Sequence, residues 1–263
     1  MRRNCHQHIW LLSGTGEGPL IAKALISKGW KVSVSVVTVQ ASQSYAHLPL
    51  ESLWIGALDG PDGIRLLLAK TKEKKQGFDV IIDATHPFAA VISSNLKTVC
   101  QELNQPLIRF ERSCRTSSKA FLIKTYEELL NFDLSGKRIL FAIGSRSLPE
   151  AINLASQGGA TVFARVLPTV EGLTKALACE LPESHIAVLK PLLGKTIGEF
   201  ESGLCRNWEI TGVVARQSEG QTQMVWQNIA KEQKLDLWLI SRPRVSKEVS
   251  VFHTISEMFE YLR

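Results

Sequence analysis

Three polar side chains and a proline follow an apolar stretch in the segment DATHPFAAVISSN, residues 83–95. The preceding residues FDVII are apolar and β-branched, which is typical of a buried strand. After Pro87, apolar residues recur at helical spacing, so Pro87 should begin a helix that Thr85 or His86 caps. At the carboxyl end of a parallel strand, such groups face the crevice where ligands bind. The alternative is that they only cap the helix.

A second candidate site is the turn SGTGEGP at residues 13–19, between an apolar strand and a helix. Glycines there let backbone N–H groups approach a pyrophosphate, and the helix N-terminus adds partial positive charge. The match to G-x-G-x-x-G is imperfect, because Pro19 occupies the third glycine position and Gly18 stands one place early. An ordinary tight turn is the alternative to dinucleotide binding. The candidate cofactor-binding residues of this turn are Gly14, Thr15, Gly16 and Glu17.

The end of the second strand, KVSVSVVTVQ at residues 31–40, bears on the choice of nicotinamide cofactor. An acidic side chain usually binds the ribose 2′-hydroxyl of NAD at this position. Residues 32–50 contain no acid, and Thr38 stands at the expected place. A 2′-phosphate would therefore be tolerated, which favours NADPH. NADH stays open, because no arginine or lysine is present there to bind the phosphate.

Basic residues recur at the carboxyl ends of the predicted strands in both halves of the chain. A single one is most simply a surface charge or the partner of an acid. Their recurrence at one edge of each sheet predicts a positively charged cleft suited to a poly-carboxylate or phosphorylated ligand. These basic residues are Arg109, Arg112, Arg146, Arg165, Lys190, Arg216 and Arg242.

Strand and helix patterns alternate along almost the whole sequence. Such alternation indicates parallel strands joined by helical crossovers, and therefore a doubly wound α/β fold with mainly parallel sheets. The predicted strands are 8–13, 31–37, 52–57, 79–83, 106–110, 120–123, 138–143, 160–165, 185–190, 211–215, 236–241 and 249–253. The predicted helices are 18–28, 62–76, 88–104, 126–132, 148–157, 170–180, 196–205, 222–234 and 255–262.

These strands are too many for one sheet, so we expect two Rossmann-like domains. The stretch NFDLSGKRILFAIGSR at 131–146 is a polar break followed by a new strand and a glycine turn. We therefore place an N-terminal dinucleotide-binding domain at 1–132 and a second domain at 133–263. The substrate is expected in the cleft between them.

The composition excludes several classes of protein. With 263 residues, 44% of them hydrophobic and 21% charged, the chain can bury a core. No apolar run approaches the ~20 residues of a membrane-spanning helix, and the first apolar stretch is too short for a signal peptide. We therefore expect a cytoplasmic protein without a membrane partner. The net charge is +6, but the sequence has no basic blocks and no basic stripes interleaved with aromatic residues. This argues against a nucleic-acid partner.

The cysteines indicate neither disulfides nor a metal site. The five are scattered and form no C-x-x-C pair. The CHQH run at residues 5–8 resembles a ligand cluster, but we interpret it as part of an N-terminal tail with incidental histidines. No metal is expected.

The segments GTGEG, DATHPFAAVISSN, PLIRFER, RVLP and ISRP, in this order and spacing, resemble the precorrin-6A and cobalt-precorrin-6A reductase family of corrin biosynthesis. The resemblance covers nearly the whole chain and is most specific in DATHPFA followed by RFER. It implies two Rossmann-like domains and hydride transfer from a nicotinamide cofactor to one double bond of the precorrin-6A macrocycle, giving the 6B form in cobalamin biosynthesis. The implied substrate is a tetrapyrrole with many carboxylates, which suits the recurring arginines. Other enzymes of the corrin pathway stay open as partners.

One region departs from this family, whose members usually carry a lysine-serine-glycine-glycine turn near the C-terminus. Here the turn reads ARQSEGQTQ, with Arg216 in place of the lysine and Glu219 in place of a glycine. If the turn binds substrate carboxylates or cofactor phosphate, its contacts are altered. This applies to Ser218 and Gly220, the substrate-binding candidates of the turn.

Our working hypothesis gives each candidate group one role. The glycine turn would bind the pyrophosphate, while Thr85, His86 and Pro87 would line the junction of nicotinamide and substrate. Reduction needs a proton as well as a hydride, and His86 is the candidate donor, with water or a substrate carboxylate as alternatives. The substrate-binding candidates on the strand ends are Arg109, Arg112, Arg146 and Arg165.

Two other functions were weighed against this hypothesis. A short-chain dehydrogenase would need a tyrosine followed by a lysine four residues later. Tyr45, Tyr126 and Tyr261 lack that lysine, so this class is disfavoured. A non-catalytic dinucleotide sensor that regulates a partner protein would need the cofactor site alone, without a basic substrate cleft.

Overall fold

The computed structural model describes residues 8–74, 77–112, 119–190, 196–243, 246 and 248–262. The chain divides into two compact units. The first comprises Met1–Ser113 together with Pro243–Arg263, and the second comprises Cys114–Arg242. The chain thus leaves the first unit, completes the second, and returns.

Strands and helices alternate in both units. The strands are β1 (His8–Ser13), β2 (Lys31–Val36), β3 (Ser52–Ile55), β4 (Val80–Ala84), β5 (Leu107–Phe110), β6 (Phe121–Ile123), β7 (Arg138–Ala142), β8 (Thr161–Val166), β9 (Ile186–Val188), β10 (Gly212–Arg216), β11 (Asp236–Ile240) and β12 (Ser250–Phe252). The α-helices are α1 (Gly18–Ser27), α2 (Val39–Ser42), α3 (Gly60–Glu73), α4 (Ala90–Glu102), α5 (Leu148–Gln157), α6 (Val170–Leu177), α7 (Glu199–Asn207), α8 (Gln221–Gln233) and α9 (Ile255–Leu262). Short 3₁₀ helices cover Gln43–Tyr45, Glu127–Asn131 and Glu183–His185.

Each unit contains one six-stranded sheet, and the strand pairs recorded in both are parallel. The first sheet has the order β12-β5-β4-β1-β2-β3, and the second has β6-β11-β10-β7-β8-β9. In both, the chain runs outward from a central strand, β1 or β7, and then crosses to the other side of it. The first sheet has the Rossmann strand order, in which ligands bind where the direction reverses. The second has the same order except at one edge, where β6 precedes the other strands in the chain. The reversal falls between β1 and β4 in the first unit and between β7 and β10 in the second.

The predicted fold class is confirmed, and each predicted strand overlaps a strand of the structure. The central strands are continuous apolar runs because helices cover both faces of the sheet. In β1, Ile9 and Leu11 pack in the cluster that contains α1 and α9, whereas Trp10 and Leu12 pack against residues of α3 and α4. None of the helices in the described ranges is long and apolar enough to cross a bilayer.

The division into units differs from the expected boundary at residue 133. β6 lies before that boundary but pairs with β11 of the second sheet. β12 lies far beyond it but pairs with β5 of the first sheet, through Ser250↔Ile108 and Phe252↔Phe110. Each sheet therefore receives one edge strand from a segment that the sequence pattern assigned to the other domain.

Candidate functional site

The two turns singled out in the sequence meet at the reversal point of the first sheet. β1 and β4 are paired, with Ser13 opposite Ala84. The Gly14 N–H donates to the Ala84 carbonyl at 3.4 Å, and the Thr15 hydroxyl donates to the same oxygen at 3.5 Å. A β-carbon on Gly14 would lie 3.1 Å from the His86 backbone nitrogen. Gly14 therefore allows close approach of the two turns.

The glycine at position 18 supplies the close helix–strand packing that the third glycine of a dinucleotide turn usually provides. A β-carbon there would collide with Ser13 Oγ and with the hydroxyl of Tyr45. Tyr45 is only 3% exposed, and burial raises its pKa to about 12, so the phenol is neutral at physiological pH. A β-carbon on Gly16, by contrast, would meet no atom within 4 Å. The turn is thus tightly packed at Gly18, against Ser13 and Tyr45, and open at Gly16.

These contacts fit a dinucleotide. The opening at Gly16 and the start of α1 would accommodate a pyrophosphate, because backbone N–H groups of the turn and first helical residues lie there. Glu17 makes no side-chain bond to the first turn of α1. The residues of this turn that the sequence analysis assigns to the phosphates are Gly14, Thr15 and Gly16.

The DATHP turn is held by a buried ionic network centred on Arg109. Asp83 Oδ1 accepts hydrogen bonds from the Thr85 N–H at 3.0 Å and the Thr85 hydroxyl at 2.7 Å. Arg109 contacts Asp83 at 2.7 Å and Glu111 at 3.0 Å, and it donates to the Thr85 hydroxyl, to Ser93 Oγ and to the Thr85 carbonyl. Its side chain is 3% exposed. Arg109 therefore organises the turn from within, which differs from the substrate contact expected from the sequence.

The helix after this turn begins later than expected. α4 starts at Ala90 instead of directly after Pro87, and neither Thr85 nor His86 caps it. The Thr85 hydroxyl is used by Asp83 and Arg109, and a residue that precedes proline disfavours helical geometry. A turn closed by the Ala89 N–H on the His86 carbonyl, at 2.7 Å, fills the gap.

The imidazole of His86 contacts the backbone of its own turn. Its Nδ1 accepts a hydrogen bond from the Phe88 N–H at 3.2 Å. The side chain is half-buried, in a turn that touches Gly14.

An ion pair joins two further candidates, Glu17 of the glycine turn and Arg112 after β5. Because β4 lies between β1 and β5, this pair crosses the carboxyl edge of β4. Both side chains are partly exposed, Arg112 by 33% and Glu17 by 19%.

At the end of β2, the Thr38 hydroxyl accepts a hydrogen bond from the Ala41 N–H at 3.1 Å and so caps α2. Thr38 is exposed. The first acid beyond this segment, Glu51, pairs at 3.6 Å with Lys31 at the opposite end of β2. No carboxylate of the second strand or its following loop therefore lies where a 2′-phosphate would bind.

The second unit repeats the strand–turn–helix geometry with different side chains. The Leu148 N–H bonds to the Ser145 carbonyl as the Gly18 N–H bonds to that of Thr15. Arg146 of this turn is 82% exposed and lies 3.7 Å from Glu171. A β-carbon on Gly144 would lie 3.6 Å from the guanidinium of Arg216, the last residue of the paired strand β10. The side chain of Arg216 thus lies beside this turn.

Arg165, a substrate-binding candidate of the sequence analysis, is largely buried and paired within its own unit. Its side chain is 10% exposed and pairs with the buried Glu201 of α7 at 3.4 Å, while burial lowers the pKa of the Arg165 guanidinium. Ser218 and Gly220 lie in the turn before α8, where the Ser218 N–H bonds to the Arg216 carbonyl at 2.8 Å. Glu219 adopts a φ of 56°, in the left-handed region that favours glycine.

Sequence reasoning missed the groups that support these sites. Ser93, Glu111 and Glu201 were not singled out, and Tyr45 was considered only as the tyrosine of a short-chain dehydrogenase. Gly18, one place before the third glycine of the motif, could have indicated close packing of α1 on β1, since its α-carbon lies against Ser13. Within the described ranges, no group of three or more histidine, cysteine or acidic side chains has the arrangement of a metal site, and the Cys5–Gln7 part of the CHQH run lies outside them. His8 is the buried first residue of β1, with Nε2 2.8 Å from Ser33 Oγ.

Comparisons with known proteins identify the family of this chain. The model of the family described as "Precorrin-6x reductase CbiJ/CobK" matches residues 8–263. The cobalt-precorrin-6A reductase of Synechocystis sp. is 32% identical over 242 residues, covering 90% of this chain and 88% of that protein. The enzyme of the same name from Priestia megaterium is 28% identical over 260 residues, covering 97% of each. A solved structure titled "CobK precorrin-6A reductase" has the same fold, with a TM-score of 0.74 at 23% identity over 97% of this chain and 96% of that one. The chain therefore belongs to the precorrin-6x reductase CbiJ/CobK family of oxidoreductases in cobalamin biosynthesis.

Proposed function

We propose that the protein uses NADPH to reduce one double bond of the precorrin-6A macrocycle, or of its cobalt-containing form, to the 6B product. The observation that carries this proposal is the contact between the glycine turn and the DATHP turn at the reversal point of a Rossmann sheet. The relatives named above are cobalt-precorrin-6A reductases, which supports the same class of substrate.

NADPH is proposed over NADH on the chemistry at the end of β2. The loop that follows β2 contains no acid to bind a free 2′-hydroxyl or repel a phosphate. Thr38 is exposed there, and its hydroxyl proton is available to an acceptor while its oxygen caps α2.

When bound, the dihydronicotinamide supplies the hydride. Gly14, Thr15 and Gly16 would hold the phosphates, and the Thr85–Pro87 turn, fixed by Arg109, would lie beside the nicotinamide. His86 is proposed to donate the proton to the macrocycle as the imidazolium, which thereby becomes the neutral imidazole. Proximity and orientation set by this rigid turn are the contribution of the chain itself.

For the substrate carboxylates, exposed groups are preferred to the buried arginines. Arg146 is 82% exposed beside the reversal point of the second sheet. Ser218 and Gly220 follow β10, the strand paired with β7 at that point. Arg109 and Arg165 are held by internal carboxylates and are proposed to position other groups instead.

The test is anaerobic turnover of metal-free and cobalt-containing precorrin-6A, each with NADPH and with NADH, followed by the absorbance of the macrocycle. We expect reduction with NADPH in at least one of the two mixtures. Binding of NADPH without reduction in any of the four would contradict the proposal and favour a dinucleotide sensor.

The role of His86 has its own test, because water could supply the proton. His86→Ala should lower kcat by roughly 100-fold or more under saturating NADPH, with little change in the Kd for NADPH. Wild-type turnover in this variant would remove the role.

A further inference from the structure

The ion pair between Glu17 and Arg112 lies across the dinucleotide turn. Arg112 follows β5 and reaches over the end of β4 to a residue of the turn that follows β1. Its neighbour Arg109 shows what a purely internal arginine looks like in this unit, with 3% exposure and two buried carboxylate partners. Arg112 is 33% exposed, so its side chain is partly accessible to solvent.

A carboxylate at position 17 is a poor neighbour for a pyrophosphate. Glu17 lies directly before α1 and next to Gly16, where the turn is open. Its side chain makes no capping bond to the helix; it is directed to Arg112 instead. A negative charge beside two phosphate charges would oppose binding unless a cation offsets it.

We infer that Arg112 binds the pyrophosphate of the dinucleotide, and that Glu17 holds its guanidinium over the turn until the phosphates compete for it. The planar guanidinium can bind phosphate oxygens in pairs, and two phosphate charges attract it more strongly than one carboxylate. This inference rests on the proposed function. It assigns Arg112 to cofactor binding, whereas the sequence analysis assigned it to substrate binding.

The first test is equilibrium binding of NADPH and of ADP, measured by calorimetry on the full chain. Arg112→Ala should weaken both ligands about tenfold, and Arg112→Lys should weaken them less. ADP carries the phosphates without the nicotinamide, so an equal loss for both ligands excludes the nicotinamide half as the group contacted. Arg65→Ala is the matched control, because Arg65 lies on α3 of the same unit and also pairs with carboxylates, those of Asp62 and Glu102. It should leave both Kd values unchanged.

The second test has the opposite sign. Glu17→Gln should tighten NADPH about threefold at low salt, because it removes the competing charge while keeping the side-chain shape. An unchanged or raised Kd for NADPH in this variant would overturn the inference that Arg112 passes from Glu17 to the phosphates.

The outcomes separate this inference from the proposed function. If the wild-type chain binds neither NADPH nor NADH, the proposed function fails. If it binds NADPH and Arg112→Ala binds it equally well, only the inference fails, and a raised KM for the tetrapyrrole would then return Arg112 to the substrate. Should Arg112→Ala not fold, as judged by thermal unfolding, Arg112→Lys and Glu17→Gln decide the question.

Discussion

At the level of single residues, the largest difference between sequence and structure concerns the arginines. Residue type predicted that Arg109 and Arg165 bind substrate, yet both are paired with carboxylates of their own unit. For Arg109 the signal was available: Glu111 is two residues away, just after the end of β5, and β4 and β5 place Asp83 opposite Arg109. For Arg165 it was not, because Glu201 lies on a distant helix.

Replacing Arg109 should therefore lower the stability of the protein. In Arg109→Leu the carboxylate of Asp83 stays buried without its cation, and we expect the free energy of unfolding to fall by about 3–5 kcal/mol. Urea denaturation measures this. Arg65→Leu, which breaks an exposed pair, should leave the midpoint near the wild-type value, and equal effects of the two changes would contradict the buried network.

Two glycines of one turn should behave in opposite ways. Gly18→Ala forces a β-carbon into Ser13 and Tyr45 and should lower stability by about 1–3 kcal/mol. Gly16→Ala meets no protein atom, so its stability should be close to that of the wild type. Its β-carbon would instead obstruct the proposed phosphate site and raise the Kd for NADPH. Thermal unfolding and calorimetry on the same two preparations distinguish the effects.

Tyr45 should make the protein sensitive to alkali. Its pKa is about 12 in the folded state and 10 for the ordinary phenol, so the unfolded chain loses the proton first. Stability from this group is full below pH 10 and falls by about 1.4 kcal/mol per pH unit between 10 and 12. Burial likewise raises the pKa of Cys100 and Cys205 to about 12, so the test is a difference: Tyr45→Phe should lose less stability than the wild type over this window.

At the level of elements, periodicity located the strands well because the central ones are buried on both faces and read as apolar runs. It failed where geometry depends on distant contacts. The start of α4 is set by the network around Asp83, and the assignment of β12 to the first sheet depends on pairing with residues far earlier in the chain. The four-residue helix α2 was missed because it is too short to show a period.

The return of the chain to the first sheet gives an element-scale prediction. A chain ending at Arg242 lacks β12 and α9, including Met258, which is fully buried. Edge pairing and core packing of the first unit are then lost, so amides of β5 should exchange faster with solvent. Amides of β7 and β10 should keep their protection, because their sheet is complete. Equal loosening of both sheets would contradict the division into units.

At the level of the whole molecule, a net charge of +6 should attract an anionic substrate. Raising the ionic strength from about 0.05 to about 0.5 M shortens the range of that attraction, so KM for the tetrapyrrole should rise several-fold while kcat changes little. Steady-state assays in KCl measure this, with sucrose of matched osmolality as the control. A KM independent of salt would argue against a basic substrate site.

The sharing of edge strands also has a consequence for how the protein is made. Translation releases β1 first, yet the sheet it belongs to receives its sixth strand only after the entire second unit has been synthesised. The second unit can complete its sheet earlier, once β11 has emerged. The unit begun first is thus finished last, and until then the outer edge of β5 stays open on the nascent chain, where chaperones or unwanted strand pairing would act.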